Sequence, residues 1–523
     1  MVRPSLVLIA AILAAAPGAS RAAELNFAVS AFPLSVDPHF YNGIGDRSLT
    51  LHLYSRLVEQ KPDMTTIPGL ATSWKAVSDT EWEFRLRPGV QWQDGQPLTP
   101  QDVVFSLGRA GNIPNTPLGY GPQTRAITGV TVVDEQTIRI TTSRPAPTLP
   151  LDVAAIAIVA RHAAEGVASP DFATGPAHTG TGPYKLVSFT NNDRVVMERN
   201  PTYWGEAPAY ERVVMRFISN DAARGAALLS GDVDLIDAPN ENDLPRMKAD
   251  PRFRVAQVQG NRDIFYLPDA SRTGPSPDVT DNAGKPLPNN PLHDVRVRRA
   301  LAMAVNRQAL AERVLLGTVL PMEQLMWPGA YSYAPGVKAP PYDPDRAKAL
   351  LAEAGYPDGF RITIHTFADR PTHVPAGQAV AQMWTRIGVR TQVEALPVAV
   401  YVPRAAKLEF SMPAMSWGHG TGEVGTAFVN IFATIDATKG RGPANWGGYS
   451  NPAFDALVDK ATATIDDAAR ERLLVQATEI LADDVAYIPL YSLINSWASK
   501  RTVIFEARPD QFNFAGSARP ATD

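Results

Sequence analysis

Apolar residues alternate with polar ones along much of the first half of the chain. Trp82, Phe84 and Leu86 alternate with charged residues, a period of two that predicts a half-buried strand. Similar runs predict further strands over residues 128–144 and 195–199. The first half is therefore expected to contain a substantial β-structure.

Helical patterns become more frequent in the second half. Thr99, Asp343 and Asn451 each stand directly before a proline and ahead of an apolar run, which is typical of a helix start. An apolar stripe that begins at Val297 predicts helical structure ending near Gly317. Since strands and helices interleave, the predicted fold class is α/β.

The first 22 residues have the pattern of a secretory signal peptide. Arg3 precedes an apolar stretch from Leu6 to Ala16, which is too short to span a bilayer. Pro17-Gly18 ends that stretch, and Ser20-Arg21-Ala22 fits a cleavage site. The alternative is a buried N-terminal helix. We expect export, with cleavage near Ala22.

Composition narrows the class of protein. The chain has 523 residues, 45% of them hydrophobic, a formal net charge of -4 and no cysteine. Such values exclude a disordered chain and argue against nucleic acid as a partner. Without cysteine, an exported protein has neither disulfides nor a lipid anchor on an N-terminal cysteine. We expect a periplasmic, monomeric protein.

No spacing of residues identifies an active site. Gly420, Gly422 and Gly425 match a dinucleotide-binding pattern, but the preceding strand contains Pro413, and glycines here are better explained by close approach of the backbone to a ligand or another loop. The eight histidines are scattered, without the spacing of a zinc site. We therefore predict no cofactor, no metal and no catalysis. A secreted hydrolase remains the alternative from another class.

Several long motifs, in order, resemble the extracytoplasmic solute-binding proteins of family 5, which serve peptide, nickel and opine-type ABC importers. They cover nearly the whole of the chain after residue 22. The motifs are Leu70-Ala-Thr-Ser-Trp74, Trp82 to Gly95, Pro97 to Ser106, Gly180 to Leu186, Arg199-Asn-Pro-Thr-Tyr-Trp-Gly205, Asp294 to Leu301, Tyr342 to Gly359 and Gly448 to Leu457.

The resemblance implies a two-lobed periplasmic binding protein fold of the large, cluster C type. By analogy, residues 23–270 and 490–523 form the first lobe, with an extra subdomain near 61–177, and residues 271–489 form the second. The implied function is capture of a peptide or similar small polar solute between the lobes and its delivery to permease subunits in the inner membrane. Ligand binding would favour the closed state.

The same resemblance suggests where the ligand binds. In peptide receptors of the family, a tryptophan in the second lobe is followed three residues later by an aspartate that pairs with the ligand's ammonium group. Here the tryptophan is Trp417 and the third position is Gly420. Either Glu423 replaces the missing carboxylate, or the solute is an opine, a sugar derivative or a metal chelate.

Approximate alignment to the family suggests further pocket residues in both lobes. An arginine can bind a carboxylate through two parallel hydrogen bonds. These candidates are Tyr41, Asn42, Tyr120, Arg370, His373 and Arg404.

Overall fold

The computed structural model describes residues 23–522. Its strands, in chain order, are β1 (Glu24–Val29), β2 (Val58–Gln60), β3 (Thr66–Pro68), β4 (Ala71–Ser78), β5 (Glu81–Leu86), β6 (Ile127–Asp134), β7 (Thr137–Thr142), β8 (Tyr184–Thr190), β9 (Arg194–Arg199), β10 (Arg212–Phe217), β11 (Leu235–Asp237), β12 (Phe253–Tyr266), β13 (Val319–Pro321), β14 (Arg361–Phe367), β15 (Arg390–Leu396), β16 (Met412–Gly418), β17 (Ile488–Lys500), β18 (Val503–Phe505) and β19 (Ala518–Pro520).

The α-helices vary from single turns to seventeen residues. In chain order they are α1 (Ile44–Leu53), α2 (Pro100–Ala110), α3 (Gly121–Thr124), α4 (Leu149–Val153), α5 (Arg161–Ala164), α6 (Asp221–Ser230), α7 (Leu244–Ala249), α8 (Val295–Met303), α9 (Arg307–Ala309), α10 (Pro344–Glu353), α11 (His373–Arg386), α12 (Val398–Ala406), α13 (Gly425–Ala427), α14 (Pro452–Ala463) and α15 (Asp467–Asp483).

An 11-stranded sheet runs through the molecule in the order β15-β14-β16-β12-β17-β11-β1-β10-β9-β8, with β13 beside β17. At one end β14 pairs in parallel with β15 and β16, and at the other β1 pairs in parallel with β10 and β11. The antiparallel pair β12 and β17 lies between these groups. The two ends of the sheet are thus joined through two long strands.

The β12–β17 pair changes register near its middle. Pairing stops after Gln259 and resumes at Asp263, so three residues of β12 have no partner on β17. Gly260 is required there, because a Cβ would lie 2.7 Å from Asn495 Oδ1. Beyond the shift, Ser492 Oγ donates to Asp263 Oδ1 at 2.6 Å, and the His419 ring is 3.0 Å from Oδ2. The second half of the pair is therefore held by buried side-chain contacts.

A second sheet, in the order β4-β5-β7-β6, has its own core. Trp82, Phe84 and Leu86 of β5 are buried on one face, so the predicted alternation is confirmed. Helix α2 covers this core. Its start at Thr99 is also confirmed: the Thr99 N–H donates to Asp102 Oδ2 at 2.8 Å.

The apolar cores packed on the main sheet fall into two groups, one on each side of the β12–β17 pair. One group of cores uses residues of β14, β16 and the helices between 295 and 481, and the other uses β1, β8 to β11 and the chain after 497. The helix starts at Asp343 and Asn451 are confirmed, since each side chain accepts a backbone N–H of the following turn. These cores leave the space between the two groups free for a ligand site.

The apolar stripe that begins at Val297 is helical, as predicted, but it is not one helix. Helix α8 ends at Met303, and Asn306 accepts the N–H of Ala309 to start α9, which continues as a π-turn to Val314. The prediction missed this break because the apolar residues continue through it.

The predicted signal peptide, residues 1–22, lies outside the described residues. Within residues 23–522, no helix has both the length and the apolar content needed to cross a membrane.

Candidate functional site

A cavity of about 330 Å³, here named the central cavity, lies where the two groups of cores face each other. One wall is formed by residues at the carboxyl ends of strands β1 and β11, and another by the segment between β14 and α11. Residues of β12, β16 and β17 form the floor. Its principal polar side chains are Ser30, Asp237, Glu241, Arg262, Thr318, Arg370, Thr372, His373, Ser416, Asn495, Ser496 and Gln511.

A smaller cavity of about 140 Å³, here named the side cavity, adjoins the central cavity. The two cavities share Ile44, Arg262 and Gln511, so they lie next to each other. The other residues of the side cavity are Asn42, Arg47, Met64, Asn261, Gly418, Gly420, Asp510 and Phe512.

Arg262 lines both cavities and belongs to the part of β12 that pairs with β16 but has no partner on β17. Its nearest hydrogen-bond acceptors are the Ser416 carbonyl and hydroxyl, each at 3.5 Å from Nη1. The guanidinium lies against Gly418, where a Cβ would be 3.0 Å from Nη2. Burial lowers the pKa of Arg262, and the positive charge of Arg370 lowers it further. No carboxylate among residues 23–522 lies within 4.0 Å of it.

Arg47 reaches the side cavity from helix α1. Its guanidinium stacks 4.6 Å above the Phe512 ring, and its buried Nε has no hydrogen-bond partner. Burial lowers the pKa of Arg47. Within the described chain, no carboxylate forms an ion pair with this group. A third arginine, Arg370, is exposed in the central cavity, 5.8 Å from the centre of the Phe367 ring.

His373 is the first residue of helix α11 and is buried beside these arginines. Burial, followed by the positive charges of Arg370 and Arg262, lowers the pKa of His373 to about 4. Its ring packs edge-on against Phe367 at 5.1 Å. The imidazole is therefore neutral at physiological pH and can act as a hydrogen-bond donor or acceptor.

The acidic groups on the walls differ in how far they are already neutralised. Asp237 accepts hydrogen bonds from Ser30 and Asn513 and lies 3.4 Å from Arg224 Nε. Asp510 forms a 2.6 Å ion pair with Arg508. Glu241 makes neither kind of contact within residues 23–522, and burial raises its pKa.

A third cavity, of about 180 Å³, lies between the extra subdomain and the opposite group of cores and is here named the ion-pair cavity. Its walls include a buried ion pair between Glu423 and Arg470. Asp152 lines the same cavity, and burial, followed by the negative charge of Glu423, raises its pKa to about 7. Arg125 and Arg144 also line it.

The structure brings together four of the residues predicted from the sequence. Arg370 and His373 line the central cavity, and Asn42 and Gly420 line the side cavity.

The other predicted residues lie outside the central and side cavities. Glu423 is in the ion-pair cavity, where it pairs with Arg470. Tyr120 is 1% exposed in the core of the extra subdomain, while Tyr41 forms a backbone bridge with Leu118. Arg404 forms ion pairs with Glu394 of β15 and with Glu409.

Trp417 belongs to β16, between two residues that line the cavities. Because side chains alternate along a strand, Ser416 and Gly418 face the cavities while Trp417 packs against an apolar core of the opposite face. Its indole N–H is buried without a hydrogen-bond partner within the described chain.

The glycines that follow β16 bring this loop close to the first half of the chain. Gly422 has a φ of +72°, and a Cβ there would lie 2.8 Å from Met64 Cβ. Close approach to another loop, one of the explanations expected from the sequence, is confirmed at this position.

Sequence reasoning missed Arg47, Arg262 and Glu241. Arginine and glutamate at single positions in a helix, strand or loop have no distinguishing spacing. The sequence signal near Arg262 is the run Gln259-Gly-Asn-Arg-Asp263, which has no apolar side chain and interrupts a mostly apolar strand. As regards metals, the described residues contain no group of three His, Asp or Glu side chains suited to hold an ion.

The chain belongs to the bacterial extracellular solute-binding proteins, family 5, whose model matches residues 65–438. This confirms the resemblance inferred from the motifs.

Relatives with assigned names cover most of the chain. The dipeptide-binding protein of Escherichia coli K12 is 28% identical over 512 residues, which are 92% of this chain and 91% of that protein. Heme-binding protein A of Haemophilus influenzae is 29% identical over 486 residues, 88% of this chain and 85% of that protein.

Solved structures agree on the fold. HbpA2 from Haemophilus parasuis matches with a TM-score of 0.83 at 24% identity, covering 95% of this chain and 100% of that one. The unliganded open form of the murein tripeptide binding protein MppA matches with a TM-score of 0.81 at 23% identity, covering 96% and 98%. The predicted α/β fold with two lobes is confirmed.

Proposed function

We propose that this chain is the periplasmic substrate-binding component of an ABC importer, which captures a peptide or similar small polar solute between two lobes and delivers it to the permease. The observation that carries the proposal is the central cavity, whose walls come from both sides of the β12–β17 pair. A ligand that touches both walls stabilises the closed arrangement by its additional contacts, so binding shifts the population toward closure.

The lobes that we propose are residues 23–270 with 490–523, including the subdomain near 61–177, and residues 271–489. The apolar cores support this division, since each draws on one of these sets with few exceptions. The chain crosses between the lobes in β12 and β17, which then form the hinge. The register shift after Gln259 is a natural place for bending, because three residues there lack a partner on the neighbouring strand.

We assign the solute contacts to residues of the central and side cavities. Arg370, His373, Asn42 and Gly420 are the sequence-predicted residues in that set. Trp417, Tyr41, Tyr120, Arg404 and Glu423 stay predictions from family resemblance. Glu423 is the least available of these for an ammonium group, because Arg470 already neutralises it.

The protein acts, on this proposal, as an exported monomer without catalysis or cofactor. Names of relatives support solute capture: they include dipeptide-, heme- and glutathione-binding proteins.

The test is purification from the native periplasm under gentle conditions, followed by mass spectrometry of the intact and denatured protein. We expect one small molecule, released on denaturation, that rebinds with 1:1 stoichiometry and reduces the radius of gyration in X-ray scattering. A solute that is chemically converted by the purified protein would support a secreted hydrolase instead. Rebinding without compaction would contradict capture between lobes.

A further inference from the structure

The adjoining central and side cavities are lined by more unpaired positive than unpaired negative side chains. Arg47, Arg262 and Arg370 line them, and none has a carboxylate partner among residues 23–522. By contrast, buried arginines elsewhere have acceptors within the protein: Arg470 and Arg508 each pair with an acid, and Arg298 and Arg307 donate to backbone carbonyls at 2.8 Å. The arginines at the cavities differ in having fewer or longer contacts of this kind.

Placing a charge in a partly buried site without a partner costs free energy. Arg262 and Arg47 bear that cost: within residues 23–522, the guanidinium of Arg262 has two contacts of 3.5 Å to Ser416, and the buried Nε of Arg47 has no acceptor. A folded protein could avoid it with a neutral side chain at either position. Retaining two such groups beside a cavity indicates that an anion from outside the chain completes them.

The acids on the walls do not balance these arginines. Asp237 and Asp510 are already neutralised by Arg224 and Arg508. Glu241 alone is left to oppose three guanidinium groups. Among the side chains that line the two cavities, the charge left after these pairs is therefore positive by two, and a bound solute of opposite charge would neutralise it.

We propose that the solute is acidic, a small dianion whose carboxylate-type groups are received by Arg47 and Arg262 toward the side cavity and by Arg370 at the opposite wall. This inference rests on the proposed function, since it assumes that the cavities hold the transported solute. The arginines come from a helix of the first lobe, from the hinge strand and from the second lobe, so anionic groups at separate positions of one molecule would join the lobes. The carboxylate of Glu241 could pair with one cationic group on the same solute molecule.

The experiment compares three dipeptides of similar size by calorimetric titration: glutamyl-glutamate, which is a dianion, its neutral isostere glutaminyl-glutamine, and the cationic lysyl-lysine. Each is measured at low and at high salt. We expect glutamyl-glutamate to bind about tenfold or more tightly than the neutral isostere, with the difference reduced at high salt, because charge-assisted hydrogen bonds are the stronger ones and salt screens exposed charges. Citrate, as an unrelated polyanion, is tested for stabilisation in thermal unfolding.

The variants are Arg262→Gln and Arg47→Gln, with Arg254→Gln as the matched control. Arg254 lies on the same strand as Arg262 but is exposed, and it contacts only the Arg501 carbonyl. Loss of the acidic preference in both cavity variants, with Arg254→Gln unchanged, would support the proposal. Should a cavity variant fail to fold, circular dichroism identifies it, and the other one decides.

Equal or weaker binding of glutamyl-glutamate relative to its neutral isostere would overturn the acidic class. So would the absence of stabilisation of the wild-type protein by both glutamyl-glutamate and citrate. A neutral or cationic molecule released from the native protein would have the same meaning while leaving solute capture intact. If instead wild-type protein binds the acidic probes but does not become more compact, the proposed function fails and the anion site stands.

Discussion

On the proposed division into lobes, the central cavity and the ion-pair cavity both lie between the lobes, but their charged side chains are compensated in opposite ways. In the ion-pair cavity, Glu423 and Arg470 neutralise each other inside the protein. In the central cavity, Arg262 and Arg370 have no acidic partner within the described chain. Burial of an arginine alone does not mark a binding site, since Arg298 and Arg307 are buried and donate to backbone carbonyls. The arginines of the central cavity differ because they line a cavity and lack such short contacts.

The largest effect that the comparison predicts comes from breaking the internal pair. Arg470→Met leaves the Glu423 carboxylate buried without a partner, so the free energy of unfolding should fall by about 3–5 kcal/mol in denaturant titration. Adding Glu423→Gln to that variant should recover most of the loss, because no unpaired charge then remains. A single variant as stable as the wild type would show that water already solvates this pair.

The ion-pair cavity should also make stability depend on pH. Burial raises the pKa of Asp152 to about 7 from its ordinary value near 3.8. Between these values the folded protein holds a proton that the unfolded chain has lost, so the free energy of unfolding should decrease as the pH rises from about 4 to 7. Asp152→Asn should reduce this slope, which thermal unfolding across that range measures. An identical slope in the variant would contradict the assignment.

Removing an uncompensated charge should have the opposite sign from removing a paired one. Arg262→Met keeps most of the apolar stem and eliminates the buried guanidinium, so the unliganded protein should gain about 1 kcal/mol of unfolding free energy. The measurement is the same denaturant titration, with Arg254→Met as the control. If Arg262→Met instead lowers the free energy of unfolding by more than Arg254→Met does, Arg262 is a structural residue and the two cavities do not differ as described.

The smallest expected effect is a change in the pKa of His373. Burial, followed by the positive charges of Arg370 and Arg262, lowers this pKa to about 4, so an anion bound near the two arginines should raise it. Histidine titration by nuclear magnetic resonance, with and without glutamyl-glutamate, detects the shift. His52 serves as the control, because burial lowers its pKa to about 4, and it packs against Phe514 and lines neither cavity. A common shift of both histidines would indicate a global change instead.

Much of the local structure could be predicted from sequence because its signals are local. Thr99, Asp343 and Asn451 accept or organise hydrogen bonds within a few residues, so their helix starts were predictable. The break at Asn306 was not, since its apolar surroundings continue the periodic pattern.

The site was less predictable because charge compensation depends on distant residues. Glu423 stands near Trp417 in the sequence, yet its charge is balanced by Arg470, 47 residues further on. Arg262 and Arg47 have no distinguishing pattern in the sequence, and the fold is needed to see that no carboxylate of residues 23–522 forms an ion pair with them. Arg370 and His373 were found through family resemblance rather than through any pattern of their own.

Arg262 lies within the three residues of β12 that have no partner on β17, one residue before the pairing resumes at Asp263. On the proposed function, the arginine that binds the anionic group of the solute therefore belongs to the segment of β12 that bends. A substitution at this position that changes ligand selectivity would also change how easily the lobes close. Selectivity and lobe closure would then evolve together at Arg262. A substitution on a cavity wall, such as at Arg370, could change selectivity without changing the closing motion.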